Sequence, residues 1–258
     1  MEFLKPSRRR TVISETIYVL LNILMAVGLF LLTYFDLGIL AALVLVLLSK
    51  WRIFAVRPQH WYANLVSNMV DVIISVGFVI MLFMANGAVI AQVVLTLLYI
   101  AWLLFLKPQS KRQWVIVQAG IGIFVGVTAL MHVSYDWWAS PVVLVMWLIG
   151  YATGRHVLMA YKEPHFALLS LIWALIMAEL GWLFYHWNYA YELSFAGGLY
   201  LSQAAIIITL IGFLAERAYA SLRKHESVRV TDILLPGLLT VSITVILLVL
   251  FSETAGGI

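Results

Sequence analysis

The chain has no cysteine among its 258 residues. Disulfides, a catalytic thiol, cysteine-held iron–sulfur clusters and cysteine zinc sites are excluded with it. Charge is scarce as well. Charged residues make up 11% of the chain, against roughly 25% in an average soluble protein. No phosphate-binding Walker loop, no His-Glu-x-x-His pair and no Gly-x-Ser-x-Gly elbow occurs, so three common hydrolytic chemistries have no motif here. No cofactor is expected.

Hydrophobic residues, by contrast, make up 64% of the sequence, and the mean hydropathy is +1.02. A soluble globule and a disordered chain are both excluded at that composition. The reading is an all-α, polytopic transmembrane helix bundle forming a single integral-membrane domain over 1–258. A bilayer core about 30 Å thick needs roughly 20 apolar residues per helix. Such runs occur at about 13–35, 37–54, 62–84, 87–106, 113–131, 141–160, 166–185, 195–214 and 231–251, giving about nine spans. The second is the weakest. Its apolar part stops near Leu48, and Lys50 and Arg52 are expected to snorkel to the interface.

The sixteen Lys and Arg residues sort the connections. Lys5, Arg8, Arg9 and Arg10 precede the first span. Lys50, Arg52 and Arg57 follow the second, and Lys107, Lys111 and Arg112 follow the fourth. Arg155 and Lys162 follow the sixth, and Arg217, Arg223, Lys224 and Arg229 follow the eighth. All sixteen fall in alternate connections. The positive-inside rule then predicts a cytoplasmic N-terminus and a C-terminus outside. It also accounts for the net charge of +4 without a nucleic-acid partner. Ser7-Arg8-Arg9-Arg10 resembles the start of a twin-arginine signal, but the long apolar stretch after it has no small-residue cleavage site. A retained first span is expected. The location expected is a bacterial cytoplasmic membrane.

Polar groups inside hydrocarbon are costly, so each one is informative. The third span carries Asn64, Ser67, Asn68, Asp71 and Ser75, at offsets 0, 3, 4, 7 and 11. At 3.6 residues per turn these share one face. The stripe climbs about 16 Å, to roughly the midplane. Asp71 is its ionisable member and the candidate proton or cation site; a satisfied interhelical seam is the plainer alternative. Glu179 on the seventh span is the second intramembrane acid, about 9 Å below the outer interface by helix rise. If the two helices meet, Asp71 and Glu179 bracket a central cavity. Pairs of small residues four apart, including Gly122/Gly126, Gly150/Gly154 and Ser170/Ala174/Ala178, read as packing seams within the chain or between two copies.

His132, Asp136, His186 and Glu192 gather at the predicted outer face. They are the weak candidates for holding a metal or haem; histidine at a headgroup boundary is the plainer reading. Three functions therefore stand as expectations. The first is a small-solute or ion/proton-coupled transporter using the third-span stripe and Glu179. The second is a structural or accessory subunit of a membrane complex, and the third a membrane-embedded enzyme or redox protein. The partners expected are the lipid bilayer, a small solute or cation, and a second copy or another membrane protein.

Overall fold

A computed structural model describes residues 12–53, 55, 57–187, 189–193, 196–197 and 199–249. The N-terminal basic residues Lys5, Arg8, Arg9 and Arg10, and the side chain of Arg52, lie outside what is described. Among the described residues there are nine α-helices. They are α1 Val12–Tyr34, α2 Ile39–Ser49, α3 Trp61–Met84, α4 Val89–Ala101, α5 Arg112–Val133, α6 Ala139–Ala160, α7 Phe166–His186, α8 Gln203–His225 and α9 Val230–Val249. A two-stranded antiparallel hairpin, β1 Ala190–Glu192 and β2 Tyr200–Ser202, joins α7 to α8. Eight helices are long and apolar enough to cross a bilayer, which is the signature of a helical integral-membrane protein.

Helix α2 is different. Its eleven residues reach about 16 Å, roughly half the hydrocarbon thickness. The chain then makes short 3-10 turns at Trp51–Ile53 and Pro58–His60 before α3 begins. Helix α4 is also irregular at its end. It passes into a π turn over Trp102–Leu106, closed by the Lys107 amide donating to the Trp102 carbonyl at 2.8 Å. The side chain of Gln118 donates to the carbonyls of Leu106 and Gln109, at 2.7 and 3.0 Å, and accepts from His156 at 2.8 Å. Buried backbone polar groups freed by the irregular turn are thereby satisfied.

Two apolar cores divide the bundle. One gathers α1 to α4 with Ala196 and Leu199 of the α7–α8 connection. The other gathers α5 to α8. They meet where α3 packs on α5 and α6. The small-residue pairs serve this packing. A Cβ at Gly150 would lie 2.7 Å from Met177 Cβ, and one at Gly126 would lie 2.7 Å from Ile73 Cγ2. These seams are used inside the chain, where close backbone approach supplies the dispersion contacts that hold helices together in lipid.

The eighth helix begins eight residues later than the 195–214 expected and runs eleven residues further. Of the residues expected to begin it, 200–202 form β2 and Gly197 lies against the α3–α4 turn: a Cβ at Gly197 would come within 3.3 Å of the Asn86 carbonyl. At the other end, Glu216 does not stop the helix, because it accepts a hydrogen bond from the Tyr161 hydroxyl at 2.6 Å. One turn on, the Tyr219 hydroxyl donates to Glu163, and Arg223 approaches the same carboxylate at 3.5 Å.

This latch on the α6–α7 loop carries a pH prediction. The Tyr219 hydroxyl, helped by the His165 amide and the charge of Arg223, holds the Glu163 carboxyl below its usual range, against a smaller opposing push from desolvation. A carboxyl depressed in the folded state stabilises above its ordinary titration range and loses that contribution as pH falls through the folded value. Hydrogen exchange in the 161–165 loop, corrected for intrinsic rates, is expected to accelerate below pH of about 4. Glu163→Gln should remove the acid-dependent step.

Candidate functional site

The stripe on α3 divides into two parts. Its lower part is spent locally. Ser67 Oγ donates to the Asn64 carbonyl at 2.9 Å, and Asn68 Nδ2 to the same carbonyl at 2.8 Å. Asn64 Nδ2 reaches the Ile53 carbonyl at 3.4 Å. Ser67 is exposed, and Asn64 and Asn68 are half-buried. The upper part is buried and charged. Ser75 is fully buried and donates to the Asp71 carbonyl at 2.7 Å.

Asp71 is met by two cations and an indole. The Lys50 ammonium donates to Asp71 Oδ2. The Lys107 ammonium lies 2.9 Å from the same oxygen. Trp102 Nε1 donates to Oδ1 at 3.3 Å. The Lys50 side chain is 7% exposed and that of Lys107 31%. Lys50 thus turns inward, which corrects the expectation that it snorkels to the interface. A carboxylate buried on the next helix offers a better partner than the headgroup region does, because an unpaired charge at that depth is prohibitively costly.

Local structure explains how three elements converge. Asp71 lies ten residues beyond Trp61, about 15 Å up α3. Lys50 is the C-cap of the half-length α2, about 16 Å down from Ile39. The two counts place both groups at the same depth, near mid-bundle. The cap position also sets the ammonium beside the negative end of the α2 dipole. The π turn does the rest. In an α-helix, residues five apart point about 140° away from each other. The i to i+5 bond of the π turn brings Trp102 and Lys107 to one side, where both reach Asp71.

Above the cluster, α4 presents Tyr99, Thr96 and Gln92, all buried. Thr96 donates to the Gln92 carbonyl at 2.7 Å. The Tyr99 hydroxyl and Gln92 Nε2 are buried without a hydrogen bond. Tyr99 packs its ring on Phe78, 5.1 Å between centroids.

Glu179 stands elsewhere. It is exposed on α7, among the exposed side chains of Leu175, Ile176, Trp182 and Leu183. Asp71 lies in the α2–α3–α4 cluster, so the two acids bracket no common cavity. The outer residues are not gathered either. His132 Nδ1 pairs with the Thr128 carbonyl at 3.0 Å, and its Nε2 accepts from the Tyr200 amide at 2.8 Å. Both ring nitrogens are used, Nδ1 within α5 and Nε2 in tying the hairpin to it. His186 is exposed and edge-on to Trp182 and Tyr185, and Asp136 and Glu192 are exposed. Among the described residues no group of three metal-ligating side chains occurs.

Lys50, Lys107 and Trp102 are the residues that sequence reasoning did not assign to the site. One signal for Lys50 existed: the apolar run before it is too short to cross a bilayer, so the lysine had to lie deep. No family model, curated protein or solved structure matches the chain.

Proposed function

We propose that the chain is a membrane transporter for a small solute or ion, with the Lys50–Asp71–Lys107 cluster as its binding and coupling site. The observation that carries this reading is a buried, titratable charge cluster at the end of a half-length helix, at mid-bundle depth. Ionisable groups at such depth mark solute and proton paths, and broken helices supply such sites in transporters. The proposed topology has nine crossings. The second is begun by α2 and continues into the 3-10 turn Trp51–Ile53, with the N-terminus cytoplasmic and the C-terminus outside. The alternating basic connections support that orientation.

Absence of cysteine makes the test direct. Single cysteines at Ser67, Ser75 and Lys111 are treated with a membrane-impermeant thiol reagent, in cells and in inside-out vesicles. Ser75 is fully buried, so its labelling from the cytoplasmic side requires water to open a path past Asp71. Transport predicts that labelling. Protection of Ser75 while Lys111, an exposed residue, is labelled would reject it.

A second reading, an accessory subunit of a membrane complex, is favoured by Glu179. A carboxyl on an outward apolar helix face is stabilised by a partner helix that offers it a donor. Protection of Ser75 would shift the weight to this reading.

A further inference from the structure

We infer that the Lys50–Asp71–Lys107 cluster is an oxyanion site, taking a phosphate-type group that enters past Lys107 from the basic end of the bundle. The inference names the substrate class for the transport reading and rests on it for the purpose of binding.

Charge balance is the first argument. Both ammonium groups converge on one carboxylate oxygen, Asp71 Oδ2. With both lysines protonated, the cluster holds one positive charge in excess, in a region of low dielectric. The negative end of the α2 dipole at Lys50 supplies about half a charge at most, so it reduces the excess without cancelling it. A metal cation would have to displace both ammonium groups to reach Oδ2. An anion completes the balance while both ammonium groups stay on Asp71; without one, the excess is relieved when Lys107, 31% exposed, turns toward solvent. On the surrounding elements, Tyr99 of α4 is buried and the Tyr18 hydroxyl of α1 reaches the Leu103 carbonyl at 3.5 Å, while Glu15, the carboxyl of α1, is exposed in its first turn and pairs with neither lysine among the described residues.

Donor supply is the second argument. Each ammonium has three N–H donors, and among the described residues both ammonium groups bond to Asp71. The Tyr99 hydroxyl, buried on α4 one turn before Trp102, is a further donor that meets no acceptor. Unmet donors at the cluster fit a ligand rich in acceptors. Two compact ammonium point charges are a known way to hold a phosphate group, and its several oxygens can meet donors from more than one direction.

Access is the third argument. Lys107 is the more open of the two lysines, and it follows the π turn directly. It carries the excess charge from the buried pair toward the basic connections.

The phosphate group has two sources, a free anion and the headgroup of an anionic lipid. Purified full-length protein is placed in phosphatidylcholine nanodiscs and titrated with inorganic phosphate at constant ionic strength, with chloride as the balancing anion. A parallel sample carries phosphatidylglycerol. Saturable phosphate binding identifies a free anion. Phosphatidylglycerol retention without phosphate binding identifies the headgroup. Either supports the inference if Lys107→Gln weakens the interaction about tenfold or more, the size expected for one charge-assisted bond, while Lys107→Arg stays within a few-fold. Asp71→Asn keeps an acceptor oxygen for Lys50 and removes the competing charge, so it is expected to bind phosphate more tightly. Binding of neither probe, equal binding by Lys107→Gln, or weaker binding by a folded Asp71→Asn overturns the inference. Anion binding with a protected Ser75 cysteine leaves the oxyanion site standing and removes transport. Labelling at Ser75 without anion binding does the reverse.

Discussion

Asp71→Leu is expected to lower the stability of the protein by about 3–5 kcal/mol, the cost of leaving one partner of a buried ion pair uncompensated. The loss falls on Lys50. Its side chain is 7% exposed, so it has no route to water without moving α2. Lys107, at 31% exposure, can turn away into solvent. Lys50→Met alone should cost less, since Asp71 keeps Lys107 and Trp102 as partners. The double change Lys50→Met with Asp71→Leu should recover most of the loss, because apolar groups of similar volume replace a buried pair at little cost. Unfolding in a mild detergent, followed by intrinsic tryptophan fluorescence, gives this order directly. If Asp71→Leu costs under about 1 kcal/mol, the value typical of an exposed pair, the cluster is solvated and the burial argument fails. The same result separates stability from function. A double mutant that folds well but no longer binds an anion shows that the charges are kept for chemistry.

Much of this arrangement is visible in the sequence. The spacing of Asn64, Ser67, Asn68, Asp71 and Ser75 places them on one face of α3, and the requirement that a buried carboxylate find a cation follows from solvation alone. Which cation is not local information. Lys50 and Lys107 read as interface residues because each ends an apolar run and sits in a basic connection. Only the half-length of α2 and the π turn at Trp102–Leu106 turn them inward. The π turn has no simple sequence signal; it is stabilised at a distance, by Gln118 of α5. The displaced eighth helix has a similar cause. Glu216 and Arg217 look like a membrane boundary, yet Tyr161, 55 residues earlier, donates to one oxygen of Glu216, Arg217 lies 3.4 Å from the other, and the helix continues. Local periodicity identifies helices well. It misses the places where a distant side chain pays for a local irregularity.

The second large effect is expected at Gly150. A Cβ there would lie 2.7 Å from Met177 Cβ and 2.9 Å from Ala174 Cα. The close methionine atoms are Cβ and Cγ, which rotation of its end does not move, and the Ala174 backbone cannot retreat unless α6 and α7 separate. Gly150→Ala should therefore destabilise by about 1–3 kcal/mol, the range for overpacking a tight core, and Gly150→Val by more. Gly120 of α5 is the control, since nothing lies within 4 Å of a Cβ built there. Gly120→Ala should be neutral or favourable by about 0.5–1 kcal/mol, the helix-interior preference for alanine. Thermal unfolding of the two variants in one detergent makes the comparison. The contrast also decides between the two readings of a small-residue seam. With α6 against α7 inside one chain, Gly150→Ala lowers the unfolding temperature of the monomer. With the seam between two copies, it would leave that temperature unchanged and shift the oligomeric state. Because Gly150, Gly154 and Gly181 all face close neighbours across the α6–α7 contact, the first outcome is expected. The inner face of α7 is then fully committed, and the face bearing Glu179 is the one left for lipid or a partner.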